Sequence, residues 1–177
     1  MNAPRRPGDR RATALLHLYE RHFRDASLPI PVDDVAADLL GLRVAERDDL
    51  GFSGMLIPWR REILLDAAEA RQSPGRRRFT VAHEIGHWIC HCRRAGGDEI
   101  HCRPADVSTD APSDPREREA NVFAAELLMP QRVVLAHHAD GMATAQMAQR
   151  FGVSELAMSW RLYNFHLIAE PPAPEGP

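Results

Sequence analysis

The sequence predicts an α+β domain in which a small antiparallel sheet precedes a pair of long helices. Three observations carry that expectation. Apolar residues recur at helical spacing near the start, at Ala12, Leu15, Leu16, Tyr19 and Phe23. The period then shortens after Gly41, where Leu42–Ala45, Ser53–Ile57 and Glu62–Leu65 are short apolar runs between charged or Gly- and Pro-containing turns. Helical spacing returns at Ser73 and holds for most of the remaining chain. With 177 residues, 44% apolar and 27% charged, the chain has the composition of an ordinary globular domain. A chain of this length buries a core large enough to need no disulfide staple.

The elements follow in order. Residues 1–8 read as a disordered lead-in, and Asp9 to Ala26 as the first helix, broken by LPIP at 28–31. Val32 to Leu40 is a second short helix stopped by Gly41. Pro58–Arg61 is the hairpin turn between the last two strands. Ser73-Pro74 supplies an N-cap serine and a first-turn proline to a helix expected to reach Cys92. Residues 93–113 read as a long loop. Asp114-Pro115 opens the next helix, which Pro130 stops; shorter helices follow at 131–139, 144–151 and 155–166. The domain division is 9–139, a helical subdomain over 140–168 with a helix-turn-helix character, and a disordered tail over 169–177.

Charge excludes some functions. The formal net charge is −3 and all 22 basic residues are arginine, so nothing global favours nucleic acid or an anionic membrane. No apolar run approaches the ~18 residues of a membrane span. The N-terminal arginines lack a following apolar stretch, and Cys90, Cys92 and Cys102 cannot all pair within one chain. A reduced, cytoplasmic protein is expected.

The chemistry concentrates in His83-Glu84-Ile85-Gly86-His87, an H-E-x-x-H on the helix that starts at Ser73. Positions i and i+4 share a face, so both imidazoles reach one zinc ion, and Glu84 stands beside them as general base toward an activated water. Phe79, Ala82, Ile89 and Cys90 give this helix an apolar side. Gly86 is unfavourable inside a helix by ~1 kcal/mol, which implies close approach of another backbone or a ligand. A catalytic zinc keeps three protein ligands. The third is sought in EREANVFAAELLMP, where Ala120, Phe123, Ala124, Leu127 and Leu128 form a buried stripe. With Asp114 as N-cap, Glu117 falls in a capping box. That leaves Glu119 as the preferred third ligand and Glu117 as the alternative. Asn121 is a candidate supporting partner of a ligand, and His91, one turn past His87, a candidate for the cleft wall.

FTVAHEIGHW followed by EREANVFAAELLMP resembles the ImmA/IrrE family of zinc metallo-endopeptidases, over residues from about 30 to 165. The resemblance implies a zincin-like metalloprotease domain. It assigns zinc binding to His83, His87 and Glu119, and the base to Glu84, with Mn²⁺ able to replace Zn²⁺. It further implies cleavage of a protein partner, a helix-turn-helix repressor, in a stress response or mobile-element setting. The alternative is a DNA-binding or partner-binding regulator with a non-catalytic zinc.

The remaining features have plainer readings. Cys90, His91, Cys92, His101 and Cys102 do not match the usual spacing of zinc-finger pairs. Arg76, Arg77 and Arg78 oppose the helix dipole and are expected in solvent, and Trp59, Trp88 and Trp160 in packing. Met147–Ser154 resembles the first helix and turn of a helix-turn-helix. However, Arg150 and Arg161 face Asp140, Glu155 and Glu170 in that region, a poor surface for phosphates, so no direct nucleic-acid binding is expected.

Overall fold

A computed structural model describes residues 7–23, 27–92, 100–102 and 114–172. Helix α1 (Pro7–His22) buries Ala12, Leu15, Leu16 and Tyr19 along one stripe, as their spacing dictates. Helix α2 (Val32–Asp34) runs into a π-helical turn (Val35–Leu39). Gly41 then reverses the chain at φ +63°, its amide donating to the Ala37 carbonyl. A left-handed residue costs glycine nothing, which is why the helix stops there.

Strands β1 (Arg43–Arg47), β2 (Gly54–Ile57), β3 (Glu62–Asp66) and β4 (Ile100–Cys102) form one sheet in the order β1-β3-β2-β4. The expected antiparallel sheet is in fact mixed. The β2–β3 hairpin turns through the Pro58–Arg60 helical turn as anticipated, but β1 pairs parallel to β3, with Val44 opposite Ile63. Asp66 anchors the connection between β1 and β2 at the end of β3. Its carboxylate accepts from the Leu50 amide (3.3 Å) and its own amide donates to Ser53 (3.1 Å), so residues 48–53 pass over the end of β3 and deliver β2 to its far side. Leu56, Ile63 and Leu65 point to the main core; Met55, Ile57 and Leu64 form a smaller cluster on the opposite face.

Two elements were not anticipated. Asp66 also caps a short helix α3 (Ala67–Gln72), accepting from the Glu69 amide, and the signal was the D-A-A-E run itself. Strand β4 lies inside the stretch read as a loop, pairing Ile100 with Leu56. The rest of residues 93–113, like residues 1–6 and 173–177, falls outside the described residues.

Helix α4 (Pro74–His87) continues as a π-helical turn (Trp88–Cys92) and packs on α5 (Pro115–Leu128). Helices α6 (Gln131–Ala139), α7 (Thr144–Phe151) and α8 (Glu155–Asn164) complete the chain. Met147, Phe151, Met158 and Leu162 lie in the same apolar cluster as α1, α4 and α5. Arg161 is buried, pairing with Glu126 and donating to the Met129 carbonyl, so it is not available to a phosphate.

Three expectations about single residues are corrected. Arg77 binds Asp33 at 2.9 and 3.0 Å and Glu46 at 2.8 Å, and Arg78 donates to the Ile30 and Gly152 carbonyls. Neither hangs in solvent, because the chain around residues 30 and 152 folds back over the start of α4. Trp59 lies in the hairpin turn and is 58% exposed, so it is not a packing residue. No helix among the described residues is long and apolar enough to cross a membrane.

Candidate metal centre

Helix α4 opens as its sequence dictates, with Ser73 accepting from the Arg76 amide and Pro74 in the first turn. Its inner face then presents His83, Glu84 and His87, all fully buried. The two imidazoles meet through their Nε2 atoms at 2.9 Å. On the facing helix, the Glu117 carboxylate spans both: one oxygen lies 3.1 Å from His83 Nε2 and the other 3.2 Å from His87 Nε2. Asn121, one turn further along α5, places Oδ1 2.8 Å from His83 Nδ1. Were a metal held at Nε2, Nδ1 would carry the ring hydrogen and donate it to that oxygen.

Gly86 makes this approach feasible. A Cβ there would sit 3.1 Å from Ala120 Cα and 3.2 Å from both the Ala120 carbonyl and the Phe123 ring. The glycine that the sequence marks as a close-approach site therefore lies directly against the backbone of α5.

Glu119, the preferred third ligand, is not at the histidines. Two residues along a helix turn a side chain through about 200°, so with Glu117 facing α4, Glu119 faces α1 and pairs with Arg11 at 2.9 Å. The capping-box expectation that set Glu117 aside also gives way. Asp114 is the N-cap but accepts from Arg116, leaving the Glu117 carboxylate to turn inward. His91 stands beside the cluster rather than in it, with Nε2 3.3 Å from the Arg116 carbonyl and its ring 5.5 Å from that of His87.

Burial, then the charge of Glu117, holds the Glu84 carboxyl well above the usual carboxylate range, the Leu56 backbone acting weakly against them. Neither Glu84 oxygen has a hydrogen bond of ordinary geometry among the described residues. Burial also pushes Glu117 up, but hydrogen bonds from His83 and His87 outweigh it and leave it ionised far below its ordinary value. Burial lowers His87, with the hydrogen bond to Glu117 opposing, and the imidazole stays neutral near pH 7. Two imidazoles and an anionic carboxylate with donor atoms within 4.8 Å of one another are a donor set that fits a dication such as zinc. Sequence reasoning missed Leu56, whose backbone flanks Glu84; a hydrophobic strand residue carries no signal of such a role.

The description "IrrE N-terminal-like domain", within the M78 peptidases, matches residues 37–163. No curated protein matches significantly. Among solved structures, a Mycobacterium tuberculosis transcriptional regulator shares the fold at a TM-score of 0.58 and 21% identity. The match covers 86% of this chain and 46% of that one, so this chain spans about half the length of that relative.

Proposed function

This chain belongs to the M78 peptidase family through its IrrE N-terminal-like domain, and from that premise we propose that it is a zinc-dependent endopeptidase acting on a protein partner, a helix-turn-helix transcriptional repressor. The observation that carries the reading is the convergence of His83, His87 and Glu117 beside a buried Glu84 whose oxygens lack hydrogen bonds among the described residues. A structural zinc has no use for such a carboxyl. The repressor as target rests on the family resemblance of FTVAHEIGHW and EREANVFAAELLMP.

His83, His87 and Glu117 would hold the metal, with Asn121 fixing the His83 ring. A zinc ion held there supplies a Lewis acid for water and for the carbonyl of the scissile bond. Next to a dication the ionised form of Glu84 is favoured, which offsets its burial. Glu84 then takes a proton from the attacking water as its oxygen bonds to the carbonyl carbon. The same carboxyl returns that proton to the amide nitrogen as the C–N bond breaks, leaving one acid and one amine terminus. Arg161 is turned inward onto Glu126, which counts against α7–α8 as a DNA-reading pair.

The test is incubation of the Zn²⁺- or Mn²⁺-supplied protein with a helix-turn-helix repressor, one from a neighbouring gene being the first choice, read as two fragments on a gel. Wild type is expected to cleave, and Glu84→Gln to keep its fold and metal while losing cleavage. Cleavage by Glu84→Gln at the wild-type rate would remove Glu84 from the mechanism. A metal-loaded wild type that spares both the repressor and unfolded casein would remove the endopeptidase reading.

A further inference from the structure

Helix α1 lies outside the segment matched by the family description, yet it meets both metal-facing helices at one point. Arg11 sends a single guanidinium nitrogen to the Glu119 carboxylate at 2.9 Å and to the Cys90 carbonyl at 3.3 Å. Glu119 is two residues from Glu117 on α5, and Cys90 three residues past His87 on the turn that ends α4. One guanidinium nitrogen thus ties a backbone carbonyl just past the histidines to a side chain of α5. Gly8 brings the helix this close: a Cβ there would lie 2.7 Å from the Glu119 carbonyl. Ala12 and Leu15, buried in the main cluster, fix the rotation of α1 that aims Arg11 at this junction. On the other side of α5, Gly86 touches Ala120, so α1 and α4 grip α5 at neighbouring residues.

We infer that Arg11 is a positioning residue for the metal centre, a staple from α1 that sets the spacing between the histidine helix and the Glu117 helix. It also holds Glu119 on the α1 side, out of competition with Glu117. This inference rests on the metal-binding reading above. Arg11 and Glu119 are 35% and 24% exposed, so the pair adds little to overall stability. Metal affinity is more sensitive, because it depends on donor atoms being held within a fraction of an ångström.

The experiment measures zinc affinity by chelator competition, alongside thermal unfolding of the metal-free protein, for wild type, Arg11→Met, Arg11→Lys and Arg77→Met. Arg11→Met should weaken zinc about ten-fold with little change in metal-free unfolding. Arg11→Lys should recover part of that loss, since an ammonium can still reach Glu119. Arg77→Met, which removes ion pairs at the start of α4 and leaves the α1 contact intact, should lower the unfolding temperature and leave zinc affinity unchanged. If Arg11→Met fails to fold, Glu119→Ala replaces it and should weaken zinc in the same sense. Zinc affinity within two-fold of wild type in the folded variant, or an equal loss in Arg77→Met, would overturn the positioning role. A wild type that takes up no zinc would instead overturn the metal-binding reading itself.

Discussion

Glu84 and Glu117 are both carboxyls at one cluster, yet their surroundings push them in opposite directions. Glu84 in the folded, metal-free protein is raised above its ordinary 4.5, so it holds a proton that the unfolded chain releases. Its cost to stability is absent below about pH 4.5 and grows as pH rises toward its folded value. Glu117 is lowered, so its contribution is present above its ordinary 4.5 and is lost progressively as pH falls from there toward its lowered folded value. Metal-free Glu84→Gln should therefore melt higher than wild type at pH 8, by a few degrees, at roughly 2–4 °C per kcal/mol for a chain of this size. The gap should close near pH 5. A mutant that melts lower at both pH values would contradict the protonation assigned to Glu84. Side-chain direction also separates the two candidate ligands. Glu117→Gln should weaken zinc by roughly 100-fold or more, and Glu119→Gln only a few-fold, because glutamine can still accept from Arg11. Equilibrium dialysis showing the reverse order would return the third ligand to Glu119.

Among the elements, the α4–α5 contact decides whether a metal centre can exist. Gly86→Ala gains helix propensity of ~1 kcal/mol, but its methyl would press on the Ala120 backbone, which cannot rotate away as a side chain can. The overpacking term, about 1–3 kcal/mol, should win. Urea melts should show a net loss of stability, accompanied by weaker zinc binding as Glu117 is pushed from the histidines. A stabilised variant with unchanged zinc affinity would show that the helices have slack. Asp66 does two jobs at the end of β3, capping α3 and holding residues 48–53.

For the molecule as a whole, Arg161 and Glu126 join α8 to α5, the helix that carries Glu117. Both are nearly inaccessible, at 8% and 5% exposure, and Arg161 also lies over the Phe165 ring. Desolvation lowers Arg161 and raises Glu126, each opposed by its partner. Removing one charge strands the other. Arg161→Met should cost about 3–5 kcal/mol in a urea melt. The double variant Arg161→Met/Glu126→Leu should regain most of that, since a buried pair is replaceable by apolar packing. A neutral single variant would mean that α8 is not held to α5 through this pair.

Much of the site was legible because it is local. The i, i+4 pairing of His83 and His87, the proximity of Glu84, the Ser73 cap and the break at Gly41 all follow from helix geometry within a few residues. The close approach at Gly86 was legible too, as a residue unfavourable where it stands unless something lies against it. The choice between Glu117 and Glu119 was not, since it depends on the rotation of α5 relative to α4, which Ala120, Phe123 and the α1 contact set together. Likewise, short apolar runs specify strands but not partners. The sheet as a whole places β1 parallel to β3, and the fold rather than the charge pattern pairs Arg77 with Asp33 and Glu46 and turns Arg78 and Arg161 inward. By itself the sequence determined most of the helices, three of the four strands and the shared helix face of His83, Glu84 and His87. Tertiary packing alone decided which carboxylate completes the cluster, because only there do residues far apart in the chain acquire a distance.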